Sequence, residues 1–219
     1  MTALAAFADD LIPTVLDGLG LAAAAVVGTS YGGYFALRAA AAHPGRVTRL
    51  VLLGWSFGAP IKSAPLAMRI AMQPFLGRLI TKVPMSQRMT RSLLKQIGLR
   101  RAVNSGRFGD VELRWFQSLL RDTDTVRNEI DSTPRAMTMK GFNDDTLLPP
   151  ALLASIRAPT CLLWGDEDPM GDAVIAAEFA AQIPGATLEI MSDAGHAPWI
   201  DNPEYVADRL VRFLRAESR

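Results

Sequence analysis

Gly28-Thr29-Ser30-Tyr31-Gly32-Gly33 is the stretch of sequence that decides the fold. It follows an apolar run at residues 21–27 and precedes a run with the composition of a helix at residues 34–43. A glycine-rich corner between a buried strand and a helix is the context in which the pattern G-x-S-x-G indicates a reactive serine. We therefore predict that Ser30 is a nucleophile on a sharp strand-to-helix turn.

The glycines of this stretch have a predicted role of their own. Gly28 and Gly32 lack a Cβ atom, so we expect them to let the strand and the helix pass without collision. The N–H groups at the start of the following helix favour a negative charge that develops on or near the serine. A glycine turn that carries a solvated serine is the alternative interpretation.

The composition restricts the function classes. The chain has 219 residues, of which 49% are hydrophobic and 21% are charged, as is typical of one globular domain. Its formal net charge of +1 gives no reason to expect nucleic acid as a partner. No apolar run is long enough to span a membrane, and the N-terminus lacks the basic segment of a signal peptide. The sequence thus predicts a cytoplasmic protein without a membrane span.

The counts of cysteine and histidine narrow the chemistry further. A single cysteine, Cys161, excludes an internal disulfide and a cysteine-based zinc site, and we predict neither a metal nor a cofactor. Of the two histidines, His43 stands at the predicted end of a helix, where histidine is a common C-terminal residue. His196 is therefore the candidate base.

Apolar strand-like runs alternate with helical patterns at both ends of the chain. The strands are predicted at residues 21–27, 46–54, 160–164 and 186–191, and the helices at residues 3–20, 34–43, 172–182 and 203–216. Strands that alternate with helices predict right-handed crossovers, and hence the α/β class with a parallel sheet flanked by helices.

Residues 57–150 interrupt this alternation. The stretch has helical patterns and is rich in methionine and proline, so we interpret it as an inserted helical cap. Residues 1–56 and 151–219 then form the core of the fold. Its methionines either pack in an ordinary core or face a ligand cavity, and the sequence leaves both open.

The first half of the insertion has an uneven charge. Residues 57–109 contain ten lysines and arginines and no aspartate or glutamate. Basic runs on helices are usually solvated faces, but this one forgoes all local ion pairs. One hypothesis is therefore an anionic substrate or partner, such as a carboxylate or phosphate compound, an acidic carrier protein or a membrane surface.

Three chemical groups follow the ends of predicted strands, in the order serine, acid, histidine. Ligands in open α/β sheets bind beyond these carboxyl ends, so Ser30 and His196 can converge although they are far apart in sequence. Neutral imidazole can take the serine proton near pH 7, and an acid on its other nitrogen fixes the tautomer.

Trp164-Gly165-Asp166-Glu167-Asp168-Pro169 offers candidates for this acid. We favour Asp168, because it lies furthest beyond the strand and a proline holds the turn after it. Asp166 is the alternative, although we expect it to bond the backbone of its own turn. Asp193 is interpreted as a turn former in front of His196.

Three stretches together resemble the α/β-hydrolase superfamily, in the branch with a helical cap. They are Gly28-Thr29-Ser30-Tyr31-Gly32-Gly33, then Trp164-Gly165-Asp166-Glu167-Asp168-Pro169, and then Gly195-His196-Ala197-Pro198-Trp199 with Asn202-Pro203-Glu204. The order serine, aspartate, histidine is also the order of that family.

The resemblance implies a role for four residues. Ser30 would be the nucleophile, Asp168 the acid and His196 the base, and the backbone N–H of Tyr31 would be one oxyanion donor. Because position 30 is serine rather than aspartate, the chemistry of dehalogenases and epoxide hydrolases is disfavoured.

The chain departs from the family at its beginning. Family members carry four strands before the strand that leads into the serine, whereas only one helix precedes that strand here. We therefore expect the strand before Ser30 to be an exposed edge, which favours association, including homo-oligomers. A second oxyanion donor from the family's early His-Gly loop would also be absent, at a cost of about 10²- to 10³-fold in rate.

The expected function is a serine hydrolase that cleaves a small carboxylic ester or related acyl compound through an acyl-enzyme. A cofactor-free C–C hydrolase or perhydrolase of the same fold is one alternative. A catalytically weak or inactive remnant that acts by association is another.

Overall fold

The structure is a computed structural model. It describes residues 3–61, 86–128, 131, 137–138, 141–142 and 146–216. The first four elements alternate as predicted and are α1 (Ala3–Gly18), β1 (Ala24–Ser30), α2 (Tyr31–Ala42) and β2 (Val47–Ser56). The last six are α6 (Pro150–Ser155), β5 (Thr160–Gly165), α7 (Ala173–Ala180), β6 (Thr187–Met191), α8 (Pro198–Asp201) and α9 (Pro203–Arg215).

The intervening elements belong to the stretch that the sequence marked as an insertion. They are α3 (Gln87–Leu94), α4 (Arg100–Asn104), α5 (Asp110–Asp122), β3 (Met137–Thr138) and β4 (Gly141–Phe142). A wide turn at Lys95–Leu99 joins α3 to α4. Within the described residues, no helix is both long enough and apolar enough to cross a membrane.

The strands form a parallel sheet in the order β1-β2-β5-β6. The prediction of an α/β fold with a parallel sheet flanked by helices is confirmed. In this described sheet β1 lies at an edge, and Val27 on it is 45% exposed. The expected exposed edge is therefore present, whereas association through it stays a prediction.

Strand β2 is buried on both faces, as parallel strands between helical layers are. Leu50 and Leu52 face the cluster that contains Leu162 and Phe179. The alternate residue Val51 faces the opposite cluster, which includes residues of β5, β6 and α9. This packing holds the carboxyl ends of the four strands in one row.

The insertion is not wholly helical. Met137–Thr138 pairs in antiparallel register with Gly141–Phe142, so the prediction of a helical stretch is wrong at this place. Two-residue strands are too short to leave an alternation of period two in the sequence. The limits of a cap at residues 57 and 150 stay a prediction.

Among the methionines of the insertion, Met89 has a described side chain. Met89 on α3 is 47% exposed, so it does not belong to a packed core. The side chains of Met68, Met72, Met85, Met137 and Met139 lie outside the described residues.

A buried ion pair attaches α1 to the helix that follows Ser30. Arg38 of α2 is 8% exposed, and its Nε and Nη2 donate to the two carboxylate oxygens of Asp9 at 2.8 and 3.0 Å. Its Nε also donates to the carbonyl of Ala5 at 3.1 Å. An exposed pair joins Asp10 to His43 at 2.9 Å.

We predict that Asp9→Ala lowers the free energy of unfolding by about 3 kcal/mol, because it leaves the buried Arg38 guanidinium without its partner. Asp10→Ala is the matched control, since it removes an exposed pair worth at most about 1 kcal/mol. Urea unfolding followed by circular dichroism measures both. Equal losses in the two variants would contradict the role given to Arg38.

Candidate active site

Ser30 is the last residue of β1 and has a strained backbone. Its φ and ψ angles are 50° and −121°, and α2 begins at the next residue, Tyr31. Positive φ in a residue other than glycine costs of order 1–3 kcal/mol and is concentrated at functional sites. The sharp strand-to-helix turn predicted for Ser30 is present.

The prediction for the glycines around Ser30 holds for one of the two. A Cβ on Gly28 would lie 2.7 Å from the carbonyl oxygen of Gly32 and 2.9 Å from the nitrogen of Gly33, so the close approach predicted for Gly28 is confirmed. A Cβ on Gly32 would meet nothing within 4 Å, so the same prediction is wrong for Gly32. The second crowded position is Gly33, where a Cβ would overlap Oγ of Ser56.

The carboxylate of Asp168 accepts three hydrogen bonds. Trp55 N–H donates to Oδ2 at 2.9 Å, and Met170 N–H donates to Oδ1 at 3.0 Å. His196 Nδ1 lies 2.9 Å from Oδ2. The Asp168 side chain is fully buried, and an ionised carboxylate has only acceptors, so the proton of the third bond belongs to Nδ1. Nε2 of His196 then carries a lone pair that can accept a proton.

The structure distinguishes the two candidate acids. Asp166 Oδ1 accepts a weak hydrogen bond from Ala194 N–H at 3.4 Å, in the loop that follows β6. The expectation that Asp166 bonds the backbone of its own turn is therefore wrong, because the loop after β6 lies directly against it. Asp168 is the carboxylate that contacts the imidazole of His196.

Ser30 and the Asp168–His196 pair lie on either side of the carboxyl end of β2. Ser30 is in register with Ser56, and its carbonyl accepts the N–H of Phe57 at 3.0 Å. Trp55, directly before Ser56 on β2, lies beside His196, with ring centroids 6.3 Å apart. The structure thus joins Asp168 directly to His196 and places Ser30 at the end of the neighbouring strand β1.

The side chain of Tyr31 packs against the segment that follows β2. The ring stacks on Phe57 with centroids 4.2 Å apart and an interplanar angle of 22°. This contact ties the first residue of α2 to the segment after β2. The role of the Tyr31 N–H as an oxyanion donor stays a prediction.

Other reactive side chains lie away from this arrangement. His43 follows α2 and pairs with Asp10. Burial raises the pKa of the Cys161 thiol, which disfavours the nucleophilic thiolate. Within the ranges that the structure describes, no three histidine, cysteine, aspartate or glutamate side chains gather closely enough to hold a metal ion.

The loop that carries His196 contacts two residues that the sequence did not single out. One is Gly98, whose carbonyl accepts the N–H of His196 at 3.1 Å. The other is Asp201, which is 4% exposed and accepts the N–H of Gly195 at 2.8 Å. The only sequence signal for Asp201 was its position directly before the Asn202-Pro203-Glu204 stretch.

Acidic residues from outside the basic stretch neutralise part of its charge. The three pairs are Arg91 with Asp110 at 2.8 Å, Arg101 with Asp193 at 3.0 Å, and Arg107 with Glu204 at 3.9 Å. Three further basic residues form no ion pair within the described residues, namely Arg88, Lys95 and Arg100. The other four, Lys62, Arg69, Arg78 and Lys82, lie outside the described residues.

The chain is similar to known proteins of one fold family. A family model described as alpha/beta hydrolase fold matches residues 2–203. A 2-hydroxy-6-oxononadienedioate/2-hydroxy-6-oxononatrienedioate hydrolase from Burkholderia vietnamiensis is 24% identical over 204 residues, or 92% of this chain and 65% of the relative. A pimeloyl-(acyl-carrier protein) methyl ester esterase from Aromatoleum aromaticum is 30% identical over 219 residues, or 97% of this chain and 80% of the relative.

Solved structures share the fold. A serine hydrolase from the polyaromatic-hydrocarbon-degrading bacterium Cycloclasticus zankles has a TM-score of 0.72 at 21% identity, with 95% of this chain and 71% of that chain covered. The chain spans 60–65% of the length of the first three curated relatives that it matches.

We predict that Gly28→Ala destabilises the chain by about 1–3 kcal/mol and displaces Ser30, because the new methyl group presses on the backbone of α2. Gly32→Ala is the matched control, since its methyl group enters open space. Thermal unfolding and the rate of Ser30 modification by a fluorophosphonate measure the two effects. A Gly28→Ala chain as stable and as reactive as Gly32→Ala would refute the close approach at the turn.

Proposed function

We propose that the chain, which belongs to the alpha/beta hydrolase fold family, is a serine hydrolase that cleaves a small carboxylic ester or related acyl compound. Ser30 is the nucleophile, His196 is the general base and Asp168 orients His196. The observation that carries the proposal is the hydrogen bond of 2.9 Å between His196 and the buried carboxylate of Asp168, one strand away from a serine with positive φ.

In the first half of the reaction, Ser30 Oγ attacks the substrate carbonyl carbon while its proton passes to Nε2 of His196. A C–O bond forms, and the carbonyl π electrons move onto oxygen. The imidazolium so formed is stabilised by the carboxylate of Asp168. When the tetrahedral intermediate collapses, the ester C–O bond breaks and Nε2 returns the proton to the leaving alcohol.

In the second half, water replaces the alcohol. His196 Nε2 takes a proton from water, and the hydroxyl oxygen attacks the acyl carbon of the Ser30 ester. Collapse of the second tetrahedral intermediate releases the carboxylic acid and returns the proton to Ser30 Oγ. The atoms balance as ester plus water giving acid plus alcohol, with no cofactor in any step.

The negatively charged oxygen of each tetrahedral intermediate needs a hydrogen-bond donor. We assign one donor to the backbone N–H of Tyr31, because it is the first residue of α2 and directly follows the nucleophile. The positive end of α2 also favours negative charge at this place. Each such donor is worth about 10²- to 10³-fold in rate.

We predict that Ser30→Ala lowers kcat for short p-nitrophenyl esters by about 10⁶-fold, because only the residual catalysis by the oxyanion donor and by substrate binding remains. Ser56→Ala is the matched control, because Ser56 is the in-register neighbour on β2 and its hydroxyl is fully buried. Asp168→Asn should lower kcat by about 10⁴-fold through loss of the correct tautomer. Equal activity in the Ser30→Ala variant and the unmodified chain would refute the assignment of the nucleophile.

Cleavage of a C–C bond is the second candidate. Several curated relatives are named as 2-hydroxy-6-oxononadienedioate/2-hydroxy-6-oxononatrienedioate hydrolases, at 24–28% identity. Direct comparison of ester substrates with 2-hydroxy-6-oxo dienoates separates the two reactions. Perhydrolysis uses the same residues. It is distinguished from hydrolysis by supplying hydrogen peroxide and a carboxylic acid and measuring the peracid formed.

A protein that associates without turnover is the third candidate, and it rests on the edge position of β1 in the described sheet. Ser30 modification distinguishes it from the enzyme. A folded chain that never reacts with a fluorophosphonate would favour this candidate. A cytoplasmic location accompanies the proposal as a prediction.

An anionic group on the substrate is a further part of the proposal. Arg88, Lys95 and Arg100 retain a positive charge that no described carboxylate neutralises. The esterase relative is named for an ester carried on an acyl-carrier protein, and a carrier protein is one partner that the basic stretch suggested.

We predict that joint reversal of Arg88, Lys95 and Arg100 to glutamate raises the KM for a carboxylate-bearing ester about tenfold. Each exposed charge interaction is worth up to about 1 kcal/mol, and 1.4 kcal/mol is a factor of ten. The KM for a neutral ester of equal length serves as the control and should not change. Unchanged KM values for both esters would contradict an anionic substrate.

A further inference from the structure

The loop that carries His196 is held from the side of the insertion. The wide turn at Lys95–Leu99 contains Gly98 with φ of 95° and ψ of 13°, a conformation that interrupts the helix. This bend turns the carbonyl of Gly98 toward the loop, where it accepts the N–H of His196 at 3.1 Å. Backbone of the insertion thus bonds the same residue whose side chain bonds Asp168.

The two segments approach too closely for side chains at this point. A Cβ on Gly98 would lie 2.6 Å from Cβ of His196 and 2.8 Å from its backbone nitrogen. A Cβ on Gly195 would overlap the carbonyl oxygen of Gly98. The contact therefore requires glycine at both positions. Gly98 and Gly195 are 97 residues apart in the sequence (195 minus 98).

Asp201 holds the neighbouring residue of the loop. Its Oδ2 accepts the N–H of Gly195 at 2.8 Å, the residue directly before His196. Its Oδ1 is buried and, within the described residues, meets no donor in standard hydrogen-bond geometry. Burial raises the pKa of the Asp201 carboxyl, while the nearby backbone N–H groups of Gly195 and Ala102 act in the opposite direction.

Charge and packing extend the same attachment. Arg101 of α4 pairs with Asp193 in the loop at 3.0 Å, and its charge also lowers the pKa of Asp201, whereas Glu167 raises it. Ala197 is 5% exposed and packs in the core cluster of the insertion with Leu94, Leu99, Ala102, Phe108 and Leu113. The loop after β6 therefore packs against the core of the insertion through Ala197 and against the sheet through Ala194.

We propose that Gly98 and Arg101 of the insertion, together with Asp201 of α8, form a clamp that fixes the loop at Gly195-His196, so that the insertion takes part in positioning the catalytic base. The inference rests on the role proposed above for His196. Gly98 and Asp201 are positioning residues: they act through the backbone of the loop. Any movement of α3 and α4 then also moves the imidazole relative to Asp168.

The test uses the fact that the chain has only two histidines. In proton NMR, the Nδ1–H of His196 should give a low-field signal, because its hydrogen bond to buried Asp168 slows exchange with water. The ring of His43 pairs with the exposed Asp10 and should give no such signal, because its N–H exchanges with water. The signal is assigned by its loss in His196→Ala, and it reports on the position of His196 without any need for turnover.

Gly98→Ala should remove the low-field signal and lower kcat for p-nitrophenyl esters by about 10²-fold, with little change in KM, because a displacement of about 1 Å costs a rate of this size. Gly106→Ala is the matched control. Gly106 also has positive φ, at 79°, but a Cβ there meets nothing within 4 Å. It should lose stability and keep both the signal and kcat.

If Gly98→Ala does not fold, two variants of Asp201 test the same proposal. Asp201→Ala removes the acceptor of the Gly195 N–H and should weaken the signal and kcat. Asp201→Asn retains an oxygen at the same place and should restore both. A retained His196 signal in Gly98→Ala, or equal signals in the two Asp201 variants, would overturn the clamp. Full hydrolysis by Ser30→Ala would instead overturn the proposed function and leave the signal test unaffected.

Discussion

The carboxylate of Asp168 is the group on which the arrangement of the site depends. It is fully buried, and it accepts hydrogen bonds from β2 through Trp55, from its own loop through Met170 and from His196. A buried carboxylate without donors would be costly, so these three bonds hold the ends of three chain segments in one geometry. The same bonds determine which nitrogen of the imidazole carries the proton.

This constraint explains how residues far apart in sequence come to lie at one edge of the sheet. Ser30, Asp168 and His196 each lie at or beyond the carboxyl end of a strand in one parallel sheet, and the strands are fixed by apolar residues on both faces. The sheet sets where β1 and β5 end, and Asp168 sets where the imidazole lies between them. The insertion adds contacts to the loop of His196 from the other side.

The sequence predicted the fold and the chemical candidates, and it failed where contacts are long-range. The alternation of apolar and helical runs gave the sheet, and the family resemblance is confirmed by the match over residues 2–203. The scarcity of histidine led to His196, which does contact Asp168. Local patterns were sufficient for these because each motif lies at the end of one strand.

Other features had no local signal. The crowding at Gly33 depends on Ser56, and the bend at Gly98 depends on a loop almost a hundred residues later. Likewise the basic stretch looked unpaired, although Asp110, Asp193 and Glu204 reach it from outside. Partners of this kind are determined by tertiary packing, and a pattern within one stretch does not contain them.

Treatment of the folded chain with a fluorophosphonate, followed by location of the adduct by mass spectrometry, tests whether His196 activates Ser30. One adduct per chain should form, on Ser30, and much more slowly in His196→Ala than in the unmodified chain. A folded chain that acquires no adduct, or one that reacts on Ser30 equally fast without His196, would contradict this activation.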